Sequence, residues 1–174
     1  AYGSDHLLVA STLSALSTTM ARLGHVERAR ELSTEALQTF DKAGSRMVLA
    51  DALVNHAGVL VESGDRLAAA RAYDRALEIR LALLGPSHPL IAEGEVAYAT
   101  TLAHLEHRNE AFARALHGEE IARNHSRLTL AYLSERQALD YAASRPRGLD
   151  VALSLMSNPD ERRRGLNALV LGRA

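Results

Sequence analysis

Apolar positions recur along this chain with the period of an amphipathic helix, in segments separated by short turns. Leu13, Leu16, Met20 and Leu23 share one helical face, and beyond a turn at Gly24 a second face carries Val26, Ala29, Leu32, Ala36 and Leu37. The next pair sets Leu53, Ala57, Leu60 and Val61 against Leu67, Ala70, Tyr73, Ala76, Leu77 and Ile79. A third sets Val96, Tyr98, Ala99, Leu102 and Leu105 against Ala111, Ala115, Leu116 and Ile121. The pattern predicts three helical hairpins. One hairpin alone leaves apolar surface in water, at ~25 cal/mol per Å², and stacking neighbours buries it.

The hairpins are copies of one another. Tyr2-Gly3-Ser4-Asp5-His6-Leu7-Leu8-Val9-Ala10 matches Leu84-Gly85-Pro86-Ser87-His88-Pro89-Leu90-Ile91-Ala92, and a degenerate copy, Gly44 to Ala50, lies between them. The equivalent alanines at 10, 50 and 92 stand 40 and 42 apart. A second marker keeps the same phase: Gly24, Gly64 and Glu106 sit in the turns, each followed five residues later by Ala29, Ala69 or Ala111. Glycine ends a helix in the left-handed conformation, and the alanine lets two helices approach closely. Glutamate in place of the third glycine predicts a looser third turn. The repeats are expected at about 2–43, 44–84 and 85–125, with capping or linker helices over 126–174.

In that last stretch, Ser134-Glu135-Arg136-Gln137 has the spacing of a capping box and predicts a helix start. Pro146 and Gly148 should break that helix, Leu149 to Met156 should form another short one, and Asn158-Pro159 sets up a further start. Leu166, Leu169, Val170 and Leu171 then form an apolar set. It is expected either to fold back on residues 149–156 or to mediate self-association.

Composition sharpens the class. Hydrophobic residues make up 47% and aromatics only 4%, so alanine and leucine, both strong helix formers, supply the core of an all-α protein. Twenty basic residues against 21 acidic ones give a net charge of −1, which favours neither nucleic acid nor an anionic membrane as partner. Lys42 is the single lysine among many arginines, a bias that fits a GC-rich bacterial genome. The absence of cysteine removes disulfides, zinc–thiolate sites and thiol nucleophiles, and fits a cytoplasmic location. No apolar run approaches the ~20 residues of a membrane span. The start at Ala1 carries neither methionine nor a signal sequence, as expected of an excised segment.

Arg71 to Arg80, running into Leu84-Gly85-Pro86-Ser87-His88-Pro89, resembles the second helix and inter-repeat turn of tetratricopeptide repeats of the long, kinesin-light-chain-like kind. The resemblance covers roughly residues 2–123. It implies a right-handed α-solenoid that serves as a protein-interaction scaffold, the first helix of each pair lining a concave groove. Groove positions would then be Ser11, Ser14, Thr18 and Arg22; Asp51, Asn55, Gly58 and Glu62; Glu93, Ala97, Thr100 and His104. Of these, Ser14, Thr18, Arg22, Asp51, Asn55, Glu62, Thr100 and His104 are the expected contacts to a protein or peptide ligand. Asn55 stands where such repeats carry an asparagine that holds a ligand backbone, while Ala15 and Ala97 replace it at the matching places. Ligand contact and inter-repeat hydrogen bonding are both open to it.

Leu133 to Leu139 and Tyr141 to Leu155 resemble the segment that joins such arrays to a caspase-like CHAT peptidase domain in bacterial proteins. The alternative function this implies is a regulatory fragment of a CHAT peptidase whose catalytic residues lie beyond residue 174. Within the chain, no catalytic apparatus and no cofactor are expected. His56 with Ser63, or His88 with Ser87, lacks an orienting carboxylate and an oxyanion hole. His104 and His107 are split by the turn at Glu106, which argues against a metal site with His117 and His125. Gly3, Gly44 and Gly85 are isolated turn residues rather than a phosphate loop, and Arg162-Arg163-Arg164 reads as a solvated face.

Overall fold

The computed structural model describes residues 3–130, 132–144, 147–156 and, singly, 159, 162, 163 and 166. These residues are helical with no strand among them, and the architecture is an all-α solenoid of helical hairpins. Helix α1 spans Gly3–Arg22, α2 Val26–Ala43, α3 Arg46–Glu62, α4 Arg66–Leu84, α5 Pro89–His104 and α6 Arg108–Leu130. Two shorter helices follow, α7 over Glu135–Ser144 and α8 over Gly148–Leu155. Helices α1, α3 and α5 each pair with the next even one, α2 packs on α3 and α4 on α5, and α1 also meets α3.

The three turns inside the hairpins share one hydrogen-bond pattern. In the second, the Gly64 N–H donates to the Val61 carbonyl and the Asp65 N–H to that of Leu60, at 3.0 and 2.9 Å. In the third, Glu106 and His107 repeat the pair on Ala103 and Leu102 at 3.2 and 3.0 Å. Glu106 takes φ 63°, beside 82° for Gly64. The expected loosening of the third turn therefore does not occur: Glu106 adopts the glycine conformation, because the two bonds close the helix end only with a left-handed residue there. The strain of that choice stays in the backbone.

The core is built from small residues and leucine. Ala29, Ala36, Ala50, Ala57, Ala69, Ala99, Ala111 and Ala115 are fully buried, which lets helix axes come close, and Phe40 and Ile91 are the largest side chains fully enclosed. The expected faces of α2 to α6 hold, except that Leu67 is exposed. In α1 the expectation fails. Its inward side carries Ala10, Ser14, Ser17 and Ala21, whereas Leu16 and Leu23 are exposed. Helix α2 offers it a close-packed surface that accepts small side chains, and Ser17 satisfies its buried hydroxyl on the Ser14 carbonyl at 2.7 Å.

Beyond α6, which runs past the expected end of the third repeat, Ser134 begins α7 with half a capping box. The Gln137 side-chain oxygen accepts from the Ser134 N–H at 3.1 Å and from its hydroxyl at 2.8 Å. Gly148 starts α8 instead of merely breaking α7. A Cβ at this position would stand 2.3 Å from the Ala115 carbonyl oxygen, so only glycine lets α8 lie this close to α6. Buried Glu119 accepts from the Leu149 N–H at 3.3 Å, and Arg108 donates to the Leu155 carbonyl. An anion thus meets the start of α8 and a cation its end, the sense its dipole favours. Leu169, Val170 and Leu171 lie outside the described residues, while Leu166 is helical and exposed.

Candidate functional site on the first-helix face

The polar side of α1, α3 and α5 carries the residues singled out from the sequence. Arg22, Asp51, Glu62, Glu93, Thr100 and His104 are exposed, and Thr18, Asn55, Gly58 and Ala97 are half-buried among them. Ser14 lies a register step inward. It is buried, and its hydroxyl accepts a 2.9 Å hydrogen bond from the Asn55 side-chain nitrogen, tying α3 to α1. The surface position of α1 that matches Asn55 is Ala15, which is exposed.

That bond orients Asn55 without exhausting it. A primary amide has two N–H donors and a carbonyl oxygen with two lone pairs, and one N–H is engaged. The oxygen and the other N–H make no hydrogen bond among the described residues. Thr18 and Thr100 direct their hydroxyls to the backbone of their own helices, on the Ser14 and Val96 carbonyls at 3.4 and 2.9 Å.

Asp51 is positioned from behind by Arg80, a residue the sequence reading did not single out. Arg80 sits on the buried side of α4 at 5% exposure, donating to Asp51 Oδ1 at 2.8 Å and to the Leu90 carbonyl at 3.0 Å. Its Nε is buried without a partner among the described residues. The available signal was an arginine three and four residues after Leu77 and Ala76, where the helical period demands an apolar side chain. A buried guanidinium needs an anion, and Asp51 supplies it while keeping half its surface in solvent.

A denser ionic cluster joins α4, α5 and α6. Arg114 reaches Glu95 at 3.2 Å, Glu110 at 3.1 Å and Asp74 at 3.5 Å, and its guanidinium lies 4.3 Å from the centre of the Tyr98 ring. His117 Nδ1 is 3.2 Å from the other oxygen of Glu95, a buried carboxylate. Burial raises the pKa of Tyr98, and the carboxylates of Asp74, Glu110 and Glu95 add to that effect.

The serine–histidine pairs considered from sequence are not formed. His56 Nδ1 lies 2.7 Å from the Ser33 hydroxyl, while Ser63 donates to the Leu60 carbonyl and His88 accepts from the Leu90 N–H. The Ser33 hydroxyl also lies 3.0 Å from the Arg30 carbonyl, so its single proton is shared between two acceptors, the His56 tautomer setting which one it meets. Ser33 is also sealed from solvent. Burial lowers the His56 pKa, and nearby Arg30 lowers it further. No group of three metal-ligating side chains is found among the described residues. Among them, too, no helix is long and apolar enough to cross a membrane.

Stacked hairpins with an alanine-rich interior and a polar first-helix face define a tetratricopeptide-like helical repeat. Neither a protein-family model nor a curated protein matches the sequence. Among solved structures, that of BtubC (BKLC) from P. vanneervenii is similar, with a TM-score of 0.66 over 96% of this chain and 68% of that one. At 17% identity this likeness establishes the fold alone.

Proposed function

We propose that the chain is a protein-interaction scaffold, the regulatory part of a larger protein, that holds an extended peptide or protein segment along the face formed by α1, α3 and α5. Asn55 carries this reading. It is fixed by Ser14, yet presents one donor and one acceptor outward, an arrangement suited to any peptide backbone irrespective of its side chains. Selectivity then comes from the charges alongside. Asp51 is already paired with Arg80, so the charge left for a ligand at the N-terminal ends of α3 and α5 is that of exposed Glu93, and the preferred ligand places a basic side chain beside it. The opposite edge, with Arg22, Glu62 and His104, is mixed in charge.

A displayed library of linear peptides, selected on the immobilised chain, tests this. Enriched peptides should carry Lys or Arg, and Asn55→Ala should weaken them by about tenfold, the ~1.4 kcal/mol of a hydrogen-bond pair to a backbone. Glu93→Lys should reverse the charge preference. Binders indifferent to both substitutions would place the ligand elsewhere on the molecule.

A further inference from the structure

Helix α8 stands where the array would place the first helix of a further hairpin. It packs on α6 and also on α5, as α3 packs on α2 and also on α1. Two contacts set its register. A Cβ on Gly148 would meet the Glu119 N and Cβ at 3.0 and 3.1 Å, as one on Gly94 of α5 would meet the Leu77 side chain. Leu77 and Glu119 are counterparts, each eight residues beyond a repeat-marking alanine, Ala69 or Ala111. Ala152 shares a buried cluster with Ala115, and these two are the counterparts of His56 and Ser33, which meet at 2.7 Å between α3 and α2.

In this register residues 147–156 match 93–102 of α5 and 51–60 of α3. Burial follows the match. Gly148, Ala152 and Met156 are buried like Gly94, Tyr98 and Leu102, while Arg147 and Ser154 are exposed like Glu93 and Thr100. Gly94 and Gly148 stand 54 apart, against 40 and 42 for the earlier repeats, because α7 is inserted between α6 and α8. The insertion hides the copy from a search at fixed period.

Arg147 therefore follows Asp51 and Glu93 along the row of exposed positions that opens each first helix, and the sign of the row changes there. Arg147 lies 3.9 Å from Asp150, with the two side chains 76% and 65% exposed. A pair so solvated contributes little and leaves the guanidinium to a ligand.

We propose that α8 is the first helix of a fourth repeat and carries the ligand face onward, with Arg147 receiving an acidic side chain of the bound segment. This rests on the peptide-binding reading of α1, α3 and α5. Neighbouring helix axes lie about 8–10 Å apart and an extended chain advances about 3.3 Å per residue. The acidic residue thus falls roughly three positions from the basic one beside Glu93. The ligand carries both signs in order and is not uniformly basic.

Peptides enriched on the immobilised chain test this. Their Lys or Arg should be accompanied by Asp or Glu about three residues away. Arg147→Glu should weaken such a peptide by about tenfold at low salt, and less at high salt. The circular dichroism should not change, because the side chain is exposed. Replacing the peptide's acidic residue with Lys should restore its binding to the variant. An Arg147→Glu chain that binds as the parent does, with a peptide still weakened by Asn55→Ala and Glu93→Lys, would end the face at α5. That result overturns the extension and leaves the peptide-binding reading standing. A library that yields no binder, or only binders indifferent to Asn55 and Glu93, removes that reading and the extension with it.

Discussion

Glu106→Gly should stabilise this protein. Glu106 holds φ 63° in a turn whose other copies use glycine, and its carboxylate makes no hydrogen bond or ion pair among the described residues. The left-handed conformation costs a residue with a Cβ about 1–2 kcal/mol. Glycine removes that strain but loses about 0.5–1 kcal/mol through the greater freedom of its unfolded chain. The difference leaves roughly 0.5–1 kcal/mol in favour of the variant. At about 2–4 °C per kcal/mol for a chain of this size, the melting midpoint should rise by roughly 1–4 °C.

The reverse change supplies the control. Gly64 has φ 82°, and a Cβ built on it meets nothing within 4 Å, so Gly64→Glu is strained by conformation alone. It should lower stability by a similar amount. Stacked repeats can unfold in parts, so urea titration by circular dichroism should be paired with hydrogen exchange at residues 102–111, where the Glu106→Gly gain is local. A Glu106→Gly midpoint at or below that of the parent, with Gly64→Glu still destabilising, would mean that the Glu106 side chain stabilises the turn and that backbone strain is not the governing term.

Ala69→Glu should unfold the second repeat, since Ala69 is fully buried and an unpaired carboxylate there costs several kcal/mol; an unchanged melting midpoint would refute the close packing described at this position. Gly148→Ala should lift α8 from α6, because the new Cβ meets the Ala115 carbonyl; a penalty of about 1–3 kcal/mol and faster amide exchange over residues 149–155 are expected. His56 has a folded pKa below its ordinary 6.5, so the unfolded chain binds its proton first on acidification. Its contribution is complete above that ordinary value and is lost as the pH falls through it toward the folded one. His56→Gln should flatten the pH dependence of the urea midpoint in that window, and an unchanged slope would exclude His56 as its source.

The hairpins were legible in the sequence because their period is carried by residues whose roles do not depend on neighbours far away. Gly24 and Gly64 and the alanines five residues after each turn residue mark backbone geometry, and the alanines mark the third turn as well, where Glu106 stands in place of glycine. Apolar periodicity failed in α1 for a physical reason: leucines mark a side fit to be covered, not one that is covered. The side of α1 that meets α2 is lined by Ala10, Ser14, Ser17 and Ala21, and serine on a close helix contact leaves no hydropathy signal. The polar face was expected as a set of positions, of which Asp51 is exposed, Asn55 half-buried and Ser14 buried. Their supports were not. The Arg80–Asp51 bond joins residues 29 apart that meet when α3 and α4 close their hairpin, and the Ser14–Asn55 bond joins residues 41 apart that meet only once two hairpins stack.

An alanine-rich interior brings helices together without saying where along each other they should stop. Burial of a methyl group is non-directional, and adjacent alanines offer nearly equivalent packing when one helix slides past another. The directional contacts lie at the places where hairpins meet. Arg30 reaches Asp65 and Arg75 reaches Asp41 at 2.9 Å each, both linking α2 to α4 or its cap. Exposed pairs of this kind add about 0–1 kcal/mol apiece, too little to hold the stack together. Their worth lies in register: a shift of one helical turn would part both pairs by roughly 5.4 Å. Arg114 does the same at the next junction from a less solvated position, with three carboxylates and the Tyr98 ring converging on one guanidinium. Its planar fork can meet several acceptors at once, which lysine cannot. The polar face depends on that registration, because the Ser14 bond that aims Asn55 spans two hairpins and forms only when they stack in this phase.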